Sequence, residues 1–144
     1  MKAVLLIHLA ATWFMVGLIW FVQIVHYPMF DRVGRDGFAA YEIAHSRLTT
    51  WVVGPPMIVE FLCALALVAR RPDAIPAWWT WTGLALVGAI WLSTALLQVP
   101  LHGVLAGGFD ARAHAILVAS NWIRTAAWTA RGILAAAMIA RTLR

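Results

Sequence analysis

The chain contains one cysteine, Cys63, in 144 residues. That excludes an internal disulfide and any CxxC redox pair, and with them the four-helix membrane thiol oxidoreductases, which need such pairs. Cys63 reads as a small buried packing residue. Charge is also scarce, at 12% of residues against 63% hydrophobic. A soluble domain carries about 25% charged residues. Acids are the rarest charged type, 6 against 11 Lys and Arg, for a formal net charge of +5. In a chain this apolar the basic excess is a topology signal and not a nucleic-acid footprint. There is no low-complexity linker and no clear internal repeat, so residues 1–144 read as a single domain.

What the chain does have is four long apolar stretches separated by short polar loops. Spans are predicted at about 3–26, 48–69, 78–100 and 114–140, each near or above the ~20 residues that cross about 30 Å of hydrocarbon. The first run is too long for a signal-peptide core, carries His8, Trp13 and Trp20, and lacks a small-residue cleavage site after it, so it is expected to be retained. The fold class that follows is all-α: an integral membrane four-helix bundle, up-down-up-down, multi-pass in the cell membrane. Lys2, Arg70, Arg71, Arg141 and Arg144 fall on one side, and Arg32, Arg35, Arg47 and Arg112 on the other. The positive-inside rule then places both termini in the cytoplasm.

The loops carry their own signals. Pro28 predicts an end to the first helix at His26-Tyr27, because proline disfavours helical geometry in the residue before it. Residues 31–47 are the longest polar stretch, with Asp36 as a candidate N-cap and Phe38, Tyr41, Glu42 and His45 at near-helical spacing. They predict a short interfacial helix between spans one and two. Pro55-Pro56 predicts a kink in span two. Trp78, Trp79 and Trp81 read as an interfacial aromatic belt.

Four of the five histidines fall on one side of this arrangement. His26 ends span one, His45 precedes span two, His102 ends span three and His114 opens span four. Imidazole is the commonest transition-metal ligand. The expected metal ligands are therefore His26, His45, His102 and His114, with Glu42 as a further one. Copper, iron and zinc all suit imidazole and are not distinguished. Glu42 and His45 form one Glu-x-x-His pair, whereas a carboxylate-bridged di-metal bundle needs two. Gln23, Tyr41, Glu60, Gln98, Asn121 and Arg124 are placed to line the pocket. His8 lies apart: it is 18 residues from His26, on the same helix face but about 27 Å away. Three further charges fall at membrane depth, where they are costly and need partners. Counted from the span ends, Glu60 and Arg124 come within a few ångström of the same depth, so they are expected to pair. Arg131, deeper, is the alternative partner for Glu60.

Two resemblances accompany this reading. The run from His8 through Trp13, Phe14, Gly17 and Leu18, followed by Tyr27-Pro28, Arg47-Leu48 and Pro55, resembles the first half of HemJ-type protoporphyrinogen oxidases. That resemblance implies haem b ligated by His8, and it covers roughly the first 60 residues. Trp91-Leu92-Ser93-Thr94-Ala95 stands where that family has Trp-Leu-His-x-Lys, so its lysine position is Ala95 here. Val99-Pro100 and the segment Asn121-Trp122-Ile123-Arg124-Thr125 are similar to anthrone-oxygenase-like small membrane proteins. They imply a four-helix bundle and, in some members, oxygenation of an aromatic polyketide.

Three function classes remain open. The first is a membrane metalloprotein, an oxidoreductase acting on a lipophilic or quinone-like substrate at the histidine face. The second is a b-type haem or porphyrin protein using His8. The third is a non-catalytic subunit or scaffold. The lipid bilayer is the expected partner, and a homo-oligomer is left open.

Overall fold

Residues 3–21 hold no proline and no charge, and they form α1 (Lys2–Phe21). The helical path does not end before Pro28. It widens into a π turn (Val22–His26), closed by the Tyr27 N–H on the Val22 carbonyl at 2.9 Å, and then tightens into a 3₁₀ turn (Pro28–Arg32). Pro28 offers no N–H to the Ile24 carbonyl and its ring pushes that carbonyl aside. Widening the turn by one residue accommodates both effects. The same device recurs ahead of Pro100. α3 (Ala77–Ser93) passes through a π turn (Thr94–Gln98), closed by the Val99 N–H on the Thr94 carbonyl, into α4 (Val99–Leu105). The structure, a computed structural model, describes residues 1–143; Arg144, counted above with the terminal basic residues, lies outside them.

The polar stretch before span two is not a separate interfacial helix. It is the first part of α2 (Arg35–Ala69), a continuous helix of 35 residues. Between Phe38 and Val53 there is neither glycine nor proline, so nothing breaks the helix where the polarity changes. Gly34, and not Asp36, is the N-cap. Asp36 sits in the first turn, where its charge meets the free N–H groups. α2 remains helical through Pro55 and Pro56. α5 (Ala111–Thr142) starts at Asp110, whose carboxylate accepts the Ala113 N–H at 2.7 Å.

Four rods result, and each packs against two others. The first lies beside α2 and α5, and the third also lies beside α2 and α5, so the cross-section is a square. Gly132 lets α5 approach α1 closely: a Cβ there would come within 3.0 Å of Val16 Cγ2. Phe30, Phe38, Leu105 and Leu117 fill the core at one end. Leu5, Leu67, Ile75 and Met138 fill it at the other.

Three rods, Lys2–Arg32, Arg35–Ala69 and Ala77–Leu105, are long and apolar enough to cross a membrane. Their outer faces carry Leu6, Trp13, Trp51, Trp78, Trp81 and Leu96, all exposed. Exposed apolar surface of this extent marks a contact face and not an ordinary solvated one. α5 has the length, 32 residues, but Asn121, Arg124 and Arg131 lower its hydropathy. All three are buried, while Trp122, Ile123 and Ile133 face outward.

Candidate metal centre

Both π turns lie on rods that supply the site. The first turn brings Gln23 into the interior and leaves His26 and Tyr27 at its end. The second buries Gln98 and leads into the helix carrying His102. The amphipathic start of α2 turns Glu42 and His45 inward, three residues apart on one face. α5 contributes His114, Asn121 and Arg124.

At the centre, ligand atoms of Glu42, His45 and His102 all lie within 4.8 Å of one another. Glu42 is fully buried, and its Oε2 has no hydrogen-bond partner among the described residues. A buried carboxylate oxygen without a partner is expensive, and a bound cation removes that cost. Donors around a zinc-type ion sit about 2.0–2.2 Å from it, so small side-chain shifts suffice to close on one ion. The donor set of two imidazoles and one carboxylate suits such ions and leaves coordination positions open.

The surrounding hydrogen bonds orient these groups. His102 Nδ1 lies 2.5 Å from Glu42 Oε1, which also accepts Ser46 Oγ–H at 3.0 Å. A carboxylate only accepts, so His102 carries its proton on Nδ1. Its Nε2 then accepts the Tyr27 hydroxyl at 3.0 Å. Tyr27 in turn accepts from Arg124 Nη2 at 3.1 Å. A directed chain therefore runs Arg124, Tyr27, His102, Glu42. Asn121 Oδ1 holds the arginine at 2.9 Å from Nε, and its amide donates to Gln23 at 2.9 Å. Gln98 bridges Ser93 and Ser120. A cavity of about 440 Å³ opens beside His45, His102, Tyr27 and Arg124.

The expected ligands divide into two groups. Glu42, His45 and His102 form the cluster. His26 adjoins it, with Nε2 at 2.9 Å from His45 Nδ1, and Tyr41 stacks on the His45 ring at 15°. His26 is thus placed to orient His45. His114 is turned elsewhere: its Nε2 donates to the Tyr27 carbonyl at 2.7 Å and its ring stacks on Phe30.

The expected Glu60–Arg124 pair does not form, and of the two only Arg124 lines the cavity. Glu60 bonds Arg131 Nε at 3.2 Å and Trp128 Nε1 at 2.9 Å. Counting depth from the predicted span start at residue 48 caused the error. α2 begins at Arg35, so Glu60 lies 25 residues into it, while Arg131 is 20 and Arg124 only 13 residues into α5. Both helices begin at the histidine end, which puts Glu60 nearer the level of Arg131. Arg131 also bonds the Gly83 carbonyl and His8 Nε2, the latter at 3.1 Å. One guanidinium thus ties α5 to the other three rods. The His8 nitrogen that faces Arg131 is engaged, and its Nδ1 is buried without a partner.

Compared with known proteins, the chain matches no family model, no curated protein and no solved structure. Sequence reasoning missed Tyr27 as the hub of the site, together with Thr49 and Thr94. Tyr27 was visible only as the residue before Pro28, where it marked a helix end. Thr49, one turn after His45, bonds His45 Nδ1 at 3.1 Å, and that spacing was open to inspection.

Proposed function

We propose that this chain is an integral membrane metalloprotein that holds one transition-metal ion on Glu42, His45 and His102. The reaction class is oxidoreductase, and the substrate is a lipophilic, quinone-like molecule that occupies the neighbouring cavity. The single observation that carries the reading is the convergence of these ligand atoms within 4.8 Å around an unpartnered, buried Glu42 oxygen. A bound ion with open positions supplies Lewis acidity or one-electron chemistry. The chain's own residues do the rest: His26 and Thr49 orient His45 through Nδ1, Glu42 Oε1 orients His102 through its Nδ1–H, Tyr27 yields His102 Nε2 to the ion, and the apolar walls exclude water. All four rods cross the bilayer, since the polar groups of α5 face inward, and both termini lie on the cytoplasmic side. The likeness of Asn121–Thr125 to anthrone-oxygenase-like membrane proteins agrees with an oxidative role. The haem alternative would rest on His8 Nδ1, since Nε2 is bonded to Arg131.

Elemental analysis and an absorption spectrum test this on untagged protein purified in detergent without chelator. We expect about one metal per chain, no Soret band, and loss of most of the metal in His45→Ala, His102→Ala and Glu42→Gln. A folded wild-type protein that is metal-free and takes up no copper, iron or zinc on titration overturns the reading. Such a protein with a Soret band lost in His8→Ala restores the haem alternative. A colourless one favours the scaffold.

A further inference from the structure

Among the described residues two arginines are interior, and they are not equivalent. Arg131 has Glu60 as its counter-charge at 3.2 Å. Arg124 is 8% exposed and has no carboxylate within ion-pair distance among the described residues. Its contacts are the neutral oxygens of Asn121, Tyr27 and Thr94, the last at 3.4 Å from Nη1. Guanidinium carries two N–H groups on Nη1, so one of them is left without a partner. A buried cation without an anion is costly in protein and more so at membrane depth.

Arg124 also lines the 440 Å³ cavity. The walls of that cavity include Ile43, Val53 and Val99. Ile43 on α2 is 58% exposed and Val99 on α4 is 60% exposed. The mouth therefore opens on the apolar flank between these two rods, the surface that faces lipid. A ligand entering there meets apolar walls first and an uncompensated cation within.

We infer that this cavity binds an amphiphile with an anionic oxygen head, a carboxylate or a phenolate, with the head on Arg124 and Thr94 and the apolar body along Ile43, Val53 and Val99. The inference deepens the proposed function by making its lipophilic substrate anionic: a phenolate keeps the quinone-like character, a carboxylate replaces it, and the membrane setting rests on that reading. Because His45 and His102 border the same cavity, the head is delivered beside the candidate metal ligands. Arg124 is a substrate-binding residue here, and Tyr27 and Asn121 position it.

The test compares binding of dodecanoate, dodecanol and an ionised nonyl-nitrophenol to the purified protein in a non-ionic detergent, by calorimetry. An anion should bind about tenfold or more tightly than the neutral alcohol, which is a difference readily measured. The better of the two anions identifies the head. Arg124→Met should abolish the preference. Gly103→Leu should weaken binding of every probe, because Gly103 lines the cavity and a Cβ there meets nothing within 4 Å. Equal affinity for acid and alcohol in the wild type overturns the inference, as does a preference that survives Arg124→Met. If Arg124→Met does not fold, the wild-type comparison decides. Metal content is measured on the same samples. Metal-free protein that still prefers the anion sinks only the metal reading, and metal-loaded protein with no preference sinks only this one.

Discussion

At the scale of single residues, the interior of this bundle is organised around two arginines and the groups they reach. Arg131 is the structural one. Its partners come from three different rods, and Glu60 supplies its neutralising charge. Glu60→Gln should leave that charge buried and uncompensated, at a cost of about 3–5 kcal/mol. SDS-induced unfolding in mixed micelles measures it. Metal content should not change, because Glu60 lies 15 residues beyond His45 on α2, about 22 Å along the axis. The double variant Glu60→Leu/Arg131→Met should lose less stability than Glu60→Gln, since no charge is then stranded. Equal or additive losses would show that the pair is not coupled. The pairing of Glu60 with Arg131 was half legible in the sequence. The charges at membrane depth needed partners, but choosing between Arg124 and Arg131 required the true start of α2.

At the scale of elements, the two π turns stand out. Each precedes a proline by a single intervening residue, and each lies on a rod that supplies the site. A π turn inserts one residue relative to an α-helix, which rotates everything after it by about 100°. His102 owes its inward orientation to the turn before Pro100. Pro100→Ala removes the ring clash and restores the N–H that an α-helical turn needs. We expect the variant to keep its helix content by circular dichroism and to lose metal affinity by about 10–100-fold, the range seen when ligand-orienting groups are lost. Unchanged affinity would mean that the bonds to Glu42 and Tyr27 alone set the His102 orientation. Both prolines are visible in the sequence, where Pro28 predicts a helix end and Pro100 bounds the predicted third span. The interior contacts made by Tyr27 and Gln98 reward continuing the helix in a wider form, and no local pattern encodes that reward.

At the scale of the whole molecule, the square bundle brings one set of rod ends together and turns apolar side chains outward. A fluorescent reporter that matures only in the cytoplasm should be bright at the C-terminus. A phosphatase that is active only outside should work when inserted at Gly107-Gly108, in the loop before α5. The reverse pattern would invert the orientation drawn from the basic residues without dispersing the histidine site. The sequence by itself determined the all-α class, the apolar rods and the meeting of His26, His45, His102 and His114 at one end. Those features follow from composition, segment length and the alternation of direction that short loops impose. Only the tertiary structure decided that Glu42, His45 and His102 form the cluster while His114 clamps the Tyr27 carbonyl, and that Arg124 has no carboxylate within ion-pair distance among the described residues. Those outcomes depend on rotation about each helix axis, set by two π turns and by packing across the square, and rotation leaves no trace in hydropathy.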